Sequence, residues 1–226
     1  MVGNLRSSQR SFIASGSPLH RALMPLLYYE IFSYPLTVEE ILRFNHDPNS
    51  NEGELQKALD ELEAQSHVFR YQKYYLTRDC PDWIERREEH NARADRFLGK
   101  ARWMTQLIRR FPFVRAVFLS GSLSKNVMPK DGDIDYFVVT ETGRLWIART
   151  FLVLFKKVFL LNSYKYFCVN YFVDIEHLEI EEKNRFTATE IVTLLPVYNS
   201  QLYQRFYEAN AWVNPYFPHS LPRSTQ

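Results

Sequence analysis

The sequence predicts an α/β (α+β) protein, a small helical domain followed by a larger domain built on a mixed sheet. Three observations predict it. Apolar residues recur at helical spacing through 18–66 and give way to one short hairpin-like run at 68–76. A long charged helical segment follows at about 84–110. Beyond it lie three short apolar runs, 114–119, 136–139 and 165–173, each bounded by turn residues. The 226 residues suffice for one large or two small domains, with the apolar and charged fractions of a globular chain.

Residues 1–16 carry Arg6 and Arg10, several Ser and no acid, and lack the apolar core of a signal peptide. A disordered tail is expected there. Ser17-Pro18 caps a first helix over 18–33, with Leu19, Leu23, Leu27 and Ile31 on its apolar face. Pro25 predicts a kink or restart within it. Thr37 and Glu40 form a capping box for a short helix over 38–44. A third helix, 52–66, aligns Leu55, Leu59 and Leu62. The run VFRYQKYYL at 68–76 turns at Gln72-Lys73.

Three helices and a hairpin over 17–78 resemble a winged helix. Such a module presents its third helix to the major groove of DNA. Here that helix carries Glu52, Glu54, Asp60, Glu61 and Glu63 against Lys57 alone, a net of −4. Phosphates would repel it, so DNA binding is not expected and a protein partner is the better expectation.

Residues 79–110 read as a linker and a long helix, with eight Arg and Lys against four acids from 84 to 110. Most of that charge is expected to be solvated, while Phe97, Ala101, Met104 and Ile108 form a stripe that packs. After the sheet's second strand, Thr140 to Gly143 turns the chain into a helix over 144–161. That helix is apolar nearly all round and is expected to be buried. Residues 177–180 can add a short strand. Thr187 and Glu190 read as a capping box for a helix ending near Leu195, and a last helix spans 200–212 before a Pro-rich end. Residues 111–226 thus form the second domain with its C-terminal helices.

The chemistry concentrates in 118–139, FLSGSLSKNVMPKDGDIDYFVV. An apolar strand ends in Ser120-Gly121-Ser122. Ten residues separate Ser122 from Asp133-Ile134-Asp135, which opens the next strand. With a period of two, Asp133 and Asp135 point the same way while Ile134 enters the core. Two adjacent carboxylates repel unless a cation lies between them, and Mg²⁺ binds carboxylate oxygens while keeping sites for phosphates. The Gly-Ser turn offers backbone N–H groups and a hydroxyl to a phosphate tail.

This order resembles the signature of the DNA polymerase β-like nucleotidyltransferases, and most nearly their minimal members. Gly121, Ser122, Asp133, Ile134 and Asp135 agree; Ser124, Lys125, Asn126 and Gly132 depart mildly. The resemblance covers about 95–180. It implies a mixed-sheet nucleotidyltransferase-like domain, two Mg²⁺ ions and a nucleoside triphosphate substrate. It implies metal ligation by Asp133 and Asp135, and nucleotide binding by Gly121, Ser122 and Lys125, the last replacing a common Arg. A third ligand should come from a later strand. Asp174, within Val-Asp-Ile, is the candidate; Glu179 is the runner-up, and the neutral Asn170 is the rival occupant. The expected reaction moves a nucleoside monophosphate from NTP to an unknown acceptor hydroxyl. The alternatives are a catalytically silent nucleotide- or protein-binding relative, and a winged-helix DNA-binding regulator.

A net charge of +2 makes no case for nucleic acid by itself. Two distant cysteines, Cys80 and Cys168, argue against a disulfide framework and for a reducing, cytoplasmic setting. No zinc pattern joins the six His to them. The most apolar run is broken by Arg149, Lys156 and Lys157, so neither a membrane span nor a membrane partner is expected.

Overall fold

The computed structural model describes residues 13–160 and 165–224. Most of the expected tail over 1–16 lies outside the described residues. So do Leu161, at the expected end of a helix, and Asn162-Ser163 before the third strand. The described chain mixes helix with a four-stranded sheet, an α+β architecture, and it divides into two compact units. One holds the residues up to Arg87 together with Asn214–Ser220; the other holds Glu88–Val213 and the residues from Leu221.

In the first unit, helix α1 spans Pro18–Glu30, with the Ser17 hydroxyl accepting the N–H of His20. It passes Pro25 without interruption but stops three residues short of expectation. The reason is local: Ser33 takes a left-handed φ of 51°, and the N–H groups of Phe32 and Tyr34 both turn back to the Tyr29 carbonyl. Ile31 is therefore left exposed, and the buried face is Ala22, Leu23, Leu26 and Tyr29. The Thr37–Glu40 capping box forms in full at helix α2, Val38–Arg43. Helix α3, Glu52–Ala64, buries Leu55, Ala58, Leu59 and Leu62. Strands β1, Phe69–Tyr71, and β2, Tyr74–Leu76, form the hairpin, with Gln72 at its tip at a φ of 55°. Leu36 pairs with Tyr75 beside it.

Helix α4, Asp82–Ile108, contains the division between the units. Arg87 explains where it falls. Its guanidinium forks onto both Glu40 oxygens at 2.8 Å, bonds the Pro35 carbonyl, and lies over the Tyr34 and Tyr74 rings. From Ala94 onward the helix buries Ala101, Met104 and Ile108 in the core of the second unit instead.

The second unit is built on strands β3, Val114–Leu119, β4, Asp135–Thr140, β5, Cys168–Asp174, and β6, Leu195–Tyr198, in the order β5-β4-β3-β6. β3 is antiparallel to β4 and β6, and β4 is parallel to β5 through helix α6, Leu145–Phe159. One sheet face puts Val117, Leu119, Tyr136 and Val138 into a cluster with Met104, Ile108, Leu152 and Phe167. On the other, Phe118 and Phe137 stack with each other and meet Phe206. Phe206 belongs to helix α8, Ser200–Ala209, and the 3₁₀ turn Ala211–Val213 takes the place of that helix's expected last residues.

Four expectations change here. Helix α6 is not buried all round: only Ala148, Leu152 and Lys156 are buried, and Trp146, Leu154, Val158 and Phe159 are more than half exposed. Helix α7, Arg185–Thr193, begins earlier than its Thr187 box, because Asn184 Oδ1 accepts the Thr187 N–H at 2.8 Å. Leu195–Tyr198 is an edge strand rather than a helix end, a position where Pro196 is tolerated. Residues 177–180 form no strand; the buried Asn210 side chain bonds the Ile180 N–H and the Leu178 carbonyl in place of a ladder. Among the described residues, no helix is long and apolar enough to cross a membrane.

Candidate metal and phosphate site

The site forms where β3 ends and β4 begins. The Ser120 N–H donates to the Asp135 carbonyl at 3.0 Å, which clamps the turn onto the start of β4. Gly121 follows at a φ of 63° and opens the four-residue helix α5, Gly121–Ser124. A methyl group on Gly121 would overlap Asp135 Oδ2 and stand 3.0 Å from its Cγ. Only a residue without a side chain lets backbone and carboxylate approach this closely. The loop after the turn is pinned at Met128, whose N–H donates to the His90 carbonyl and whose carbonyl accepts from Arg93.

Asp133, Asp135 and Cys168 come together, with ligand atoms all within 4.8 Å of one another. Ile134 between the two aspartates is fully buried, as the alternation predicts. Burial pushes the Asp135 carboxyl up to about 6, and the neighbouring Asp133 charge adds to the shift. The same two influences, burial first and then the aspartates, push the Cys168 thiol up to about 12.

Asn170 reaches this cluster through a bulge. Tyr136 pairs with Val169 and Phe137 with Tyr171, so Asn170 is the extra residue of β5. The bulge re-aims its side chain. Its Nδ2 donates to Asp135 Oδ1 at 2.6 Å, and its Oδ1 accepts from Cys168 Sγ at 3.2 Å.

Asp174 is not brought to the pair. Asp135 stands opposite Cys168, whereas Asp174 stands opposite Thr140, five residues further along β4 and roughly 17 Å away. There Asp174 Oδ1 accepts the N–H groups of Glu176 and His177 and meets His177 Nδ1 at 2.8 Å. It closes a turn. Glu179 lies in the loop beyond and pairs with Lys183 at 2.5 Å. It lines a cavity with His177, Arg205 and Glu208, to which Asp133 and Asp135 do not contribute.

Lys125 sits beside the turn, as expected. Its Nζ donates to the Gly121 carbonyl at 2.9 Å and pairs with Glu190 at 2.8 Å. The spacing of Glu190 from Thr187 predicts a helix cap; Glu190 instead pairs with this lysine and adds to the negative field on Asp135. Cys168 is the other participant the spacing missed, since it lies 33 residues beyond Asp135 and only the parallel register joins them.

No protein-family model, curated protein or solved structure matches the chain. The chemistry must be read from the arrangement itself. Two carboxylates forced together, one of them raised to about 6, would suit a divalent cation, which would relieve their repulsion. The donor set fits Mg²⁺ through its oxygens. The third donor within reach is a thiol, which Mg²⁺ does not favour.

Proposed function

We propose that the second unit is a nucleotidyltransferase-like domain that holds Mg²⁺ on Asp133 and Asp135 and binds the triphosphate of an NTP over the Gly121-Ser122 turn. The first unit is then its winged-helix-like companion. The observation that carries this reading is the packing of Gly121 against the Asp135 carboxylate. It sets the turn's backbone directly against one of the two carboxylates that would hold the cation. Bound there, Mg²⁺ would offset the charge of the triphosphate and lower the pKa of an attacking hydroxyl. Gly121 leaves the backbone open to phosphate oxygens, and Ser122 adds a donor. Lys125, now paired with Glu190, would meet a phosphate on leaving that pair, as a point charge rather than a fork. In the reaction, the acceptor oxygen bonds to the α-phosphorus, the bond to the β-phosphate oxygen breaks, pyrophosphate leaves, and the acceptor proton passes to solvent.

A second reading has its own observation. Asn170, not a carboxylate, bonds Asp135 where a third acidic ligand would serve. One ligand charge fewer weakens cation binding, which suits a relative that binds nucleotide without turning it over. Calorimetry with each NTP and Mg²⁺ tests the shared claim. Binding should require the cation and vanish in Asp133→Asn and Asp135→Asn; undiminished binding in both variants removes the site. Release of labelled pyrophosphate over a panel of acceptors then separates transfer from binding alone.

A further inference from the structure

Helix α6 exposes what a second-unit core helix should hide. Ile147, Phe151, Leu154 and Val158 are exposed by 39, 43, 55 and 58% and recur every three or four residues, one row down the outer face. Trp146 and Phe159, about 70% exposed, stand near the two ends of that row. The row spans twelve residues, about 16 Å of helix from first to last. The inner face is fully occupied by the sheet side, where Ala148 and Leu152 are buried.

The charged side chains on this helix have one sign. Arg144, Arg149 and Lys157 are exposed on the same helix, and Arg149 lies over the Trp146 ring at 5.3 Å. From 142 to 173 the sequence contains no Asp or Glu. The acid before this stretch, Glu141, is paired with Arg115 at 2.6 Å. A second copy of the helix would bring cations against cations. The basic N-terminal residues of the chain would do the same. The mixture of Trp, Phe and branched aliphatic side chains with Arg and Lys, free of acids, is the composition of a helix that lies in the interface of an anionic bilayer.

We infer that α6 is a peripheral membrane-docking face, which seats the Ile147–Phe151–Leu154–Val158 row among acyl chains while Arg144, Arg149 and Lys157 meet anionic headgroups. This face is independent of the Asp133–Asp135 site. It calls for surface contact alone, with no helix crossing the bilayer among the described residues.

Co-sedimentation of the full chain with phosphatidylcholine vesicles, with and without phosphatidylserine, tests it. The chain should pellet with the anionic vesicles, less so as salt is raised, and stay in solution with the neutral ones. Arg149→Gln with Lys157→Gln should weaken anionic-vesicle binding about 25-fold, roughly fivefold for each cation removed. Phe151→Asp with Leu154→Asp, both at exposed positions, should abolish it while the thermal transition stays in place. Failure to pellet with anionic vesicles overturns the proposal, and so does pelleting that survives the Phe151/Leu154 substitutions. A dimer in solution that those substitutions dissolve would equally overturn it, in favour of a protein occupant.

Discussion

The β4–β5 ladder carries an aspartate at each end, and the two are opposites. Asp135 and Asp174 both sit beside apolar strand residues, in Ile-Asp-Tyr and Val-Asp-Ile. At one end Asp135 is crowded by Asp133, the Gly121 backbone and the Cys168 thiol, and its carboxyl rises to about 6. At the other, Asp174 is held below the usual carboxylate range, against some burial, by His177 and two backbone N–H groups. The turn after β5 satisfies Asp174 as an anion. Asp135 has the Asn170 amide and the Cys168 thiol beside it, and burial and the Asp133 charge outweigh both. The same residue type in the same kind of strand thus becomes a structural anchor in one place and a crowded, easily protonated carboxyl in the other. Surroundings, not local sequence, decide which.

The sharpest way to break this contrast is to remove the crowding. Gly121→Ala forces a left-handed φ on a side chain and drives its methyl into Asp135. Asp135 is short and tied to Asn170, so it can yield only by leaving that bond. We expect a loss of roughly 3 kcal/mol, from backbone strain and overpacking together, read as a lower urea midpoint at unchanged slope. An unchanged midpoint would mean that the close approach is slack. Next comes Asp135→Asn. The raised carboxyl means that the folded chain binds more protons than the unfolded one between pH 3.8 and about 6. That stability is present at low pH and is lost as pH rises through 6. Without divalent cations, the Asn variant should therefore melt above the wild type at neutral pH. The gap should close on acidification below 3.8. A variant that melts lower at neutral pH would show that Asp135 is satisfied after all.

The comparison also shows what the sequence could reveal. The turn and the aspartate pair were legible because their spacing is local and the alternation of faces is rigid: Ile134 is buried, and Gly121 lies against Asp135. The three helices and hairpin of the first unit were legible through caps and periodicity. What depended on register was not. A bulge at Asn170 and a parallel pairing across α6 fix which residue of β5 faces Asp135, and neither leaves a mark in the local pattern. Glu190 misled for the same reason, since Thr-x-x-Glu also describes a helix whose true cap is Asn184. Helix α6 misled through its composition, because an apolar circumference does not say how much of it the fold can cover.

The smallest effect belongs to Asp174, and it sharpens the contrast from the other side. If this carboxylate is only an anchor, Asp174→Ala should leave cation and nucleotide binding unchanged. It should cost about 1 kcal/mol, the net worth of the hydrogen bonds that close its turn. The pH dependence has the opposite sense to that of Asp135. Because the folded state favours the ionised Asp174, its contribution is present above the ordinary carboxylate range and lost as pH falls through the depressed value. His177 is raised by the same partner, so its share is present below 6.5 and fades as pH rises. The variant's deficit should thus be greatest between those ranges, where carboxylate and imidazolium coexist. Thermal melts across pH read this directly. A deficit that instead grows with added Mg²⁺ would return Asp174 to the metal and overturn the distinction between the two ends of the ladder.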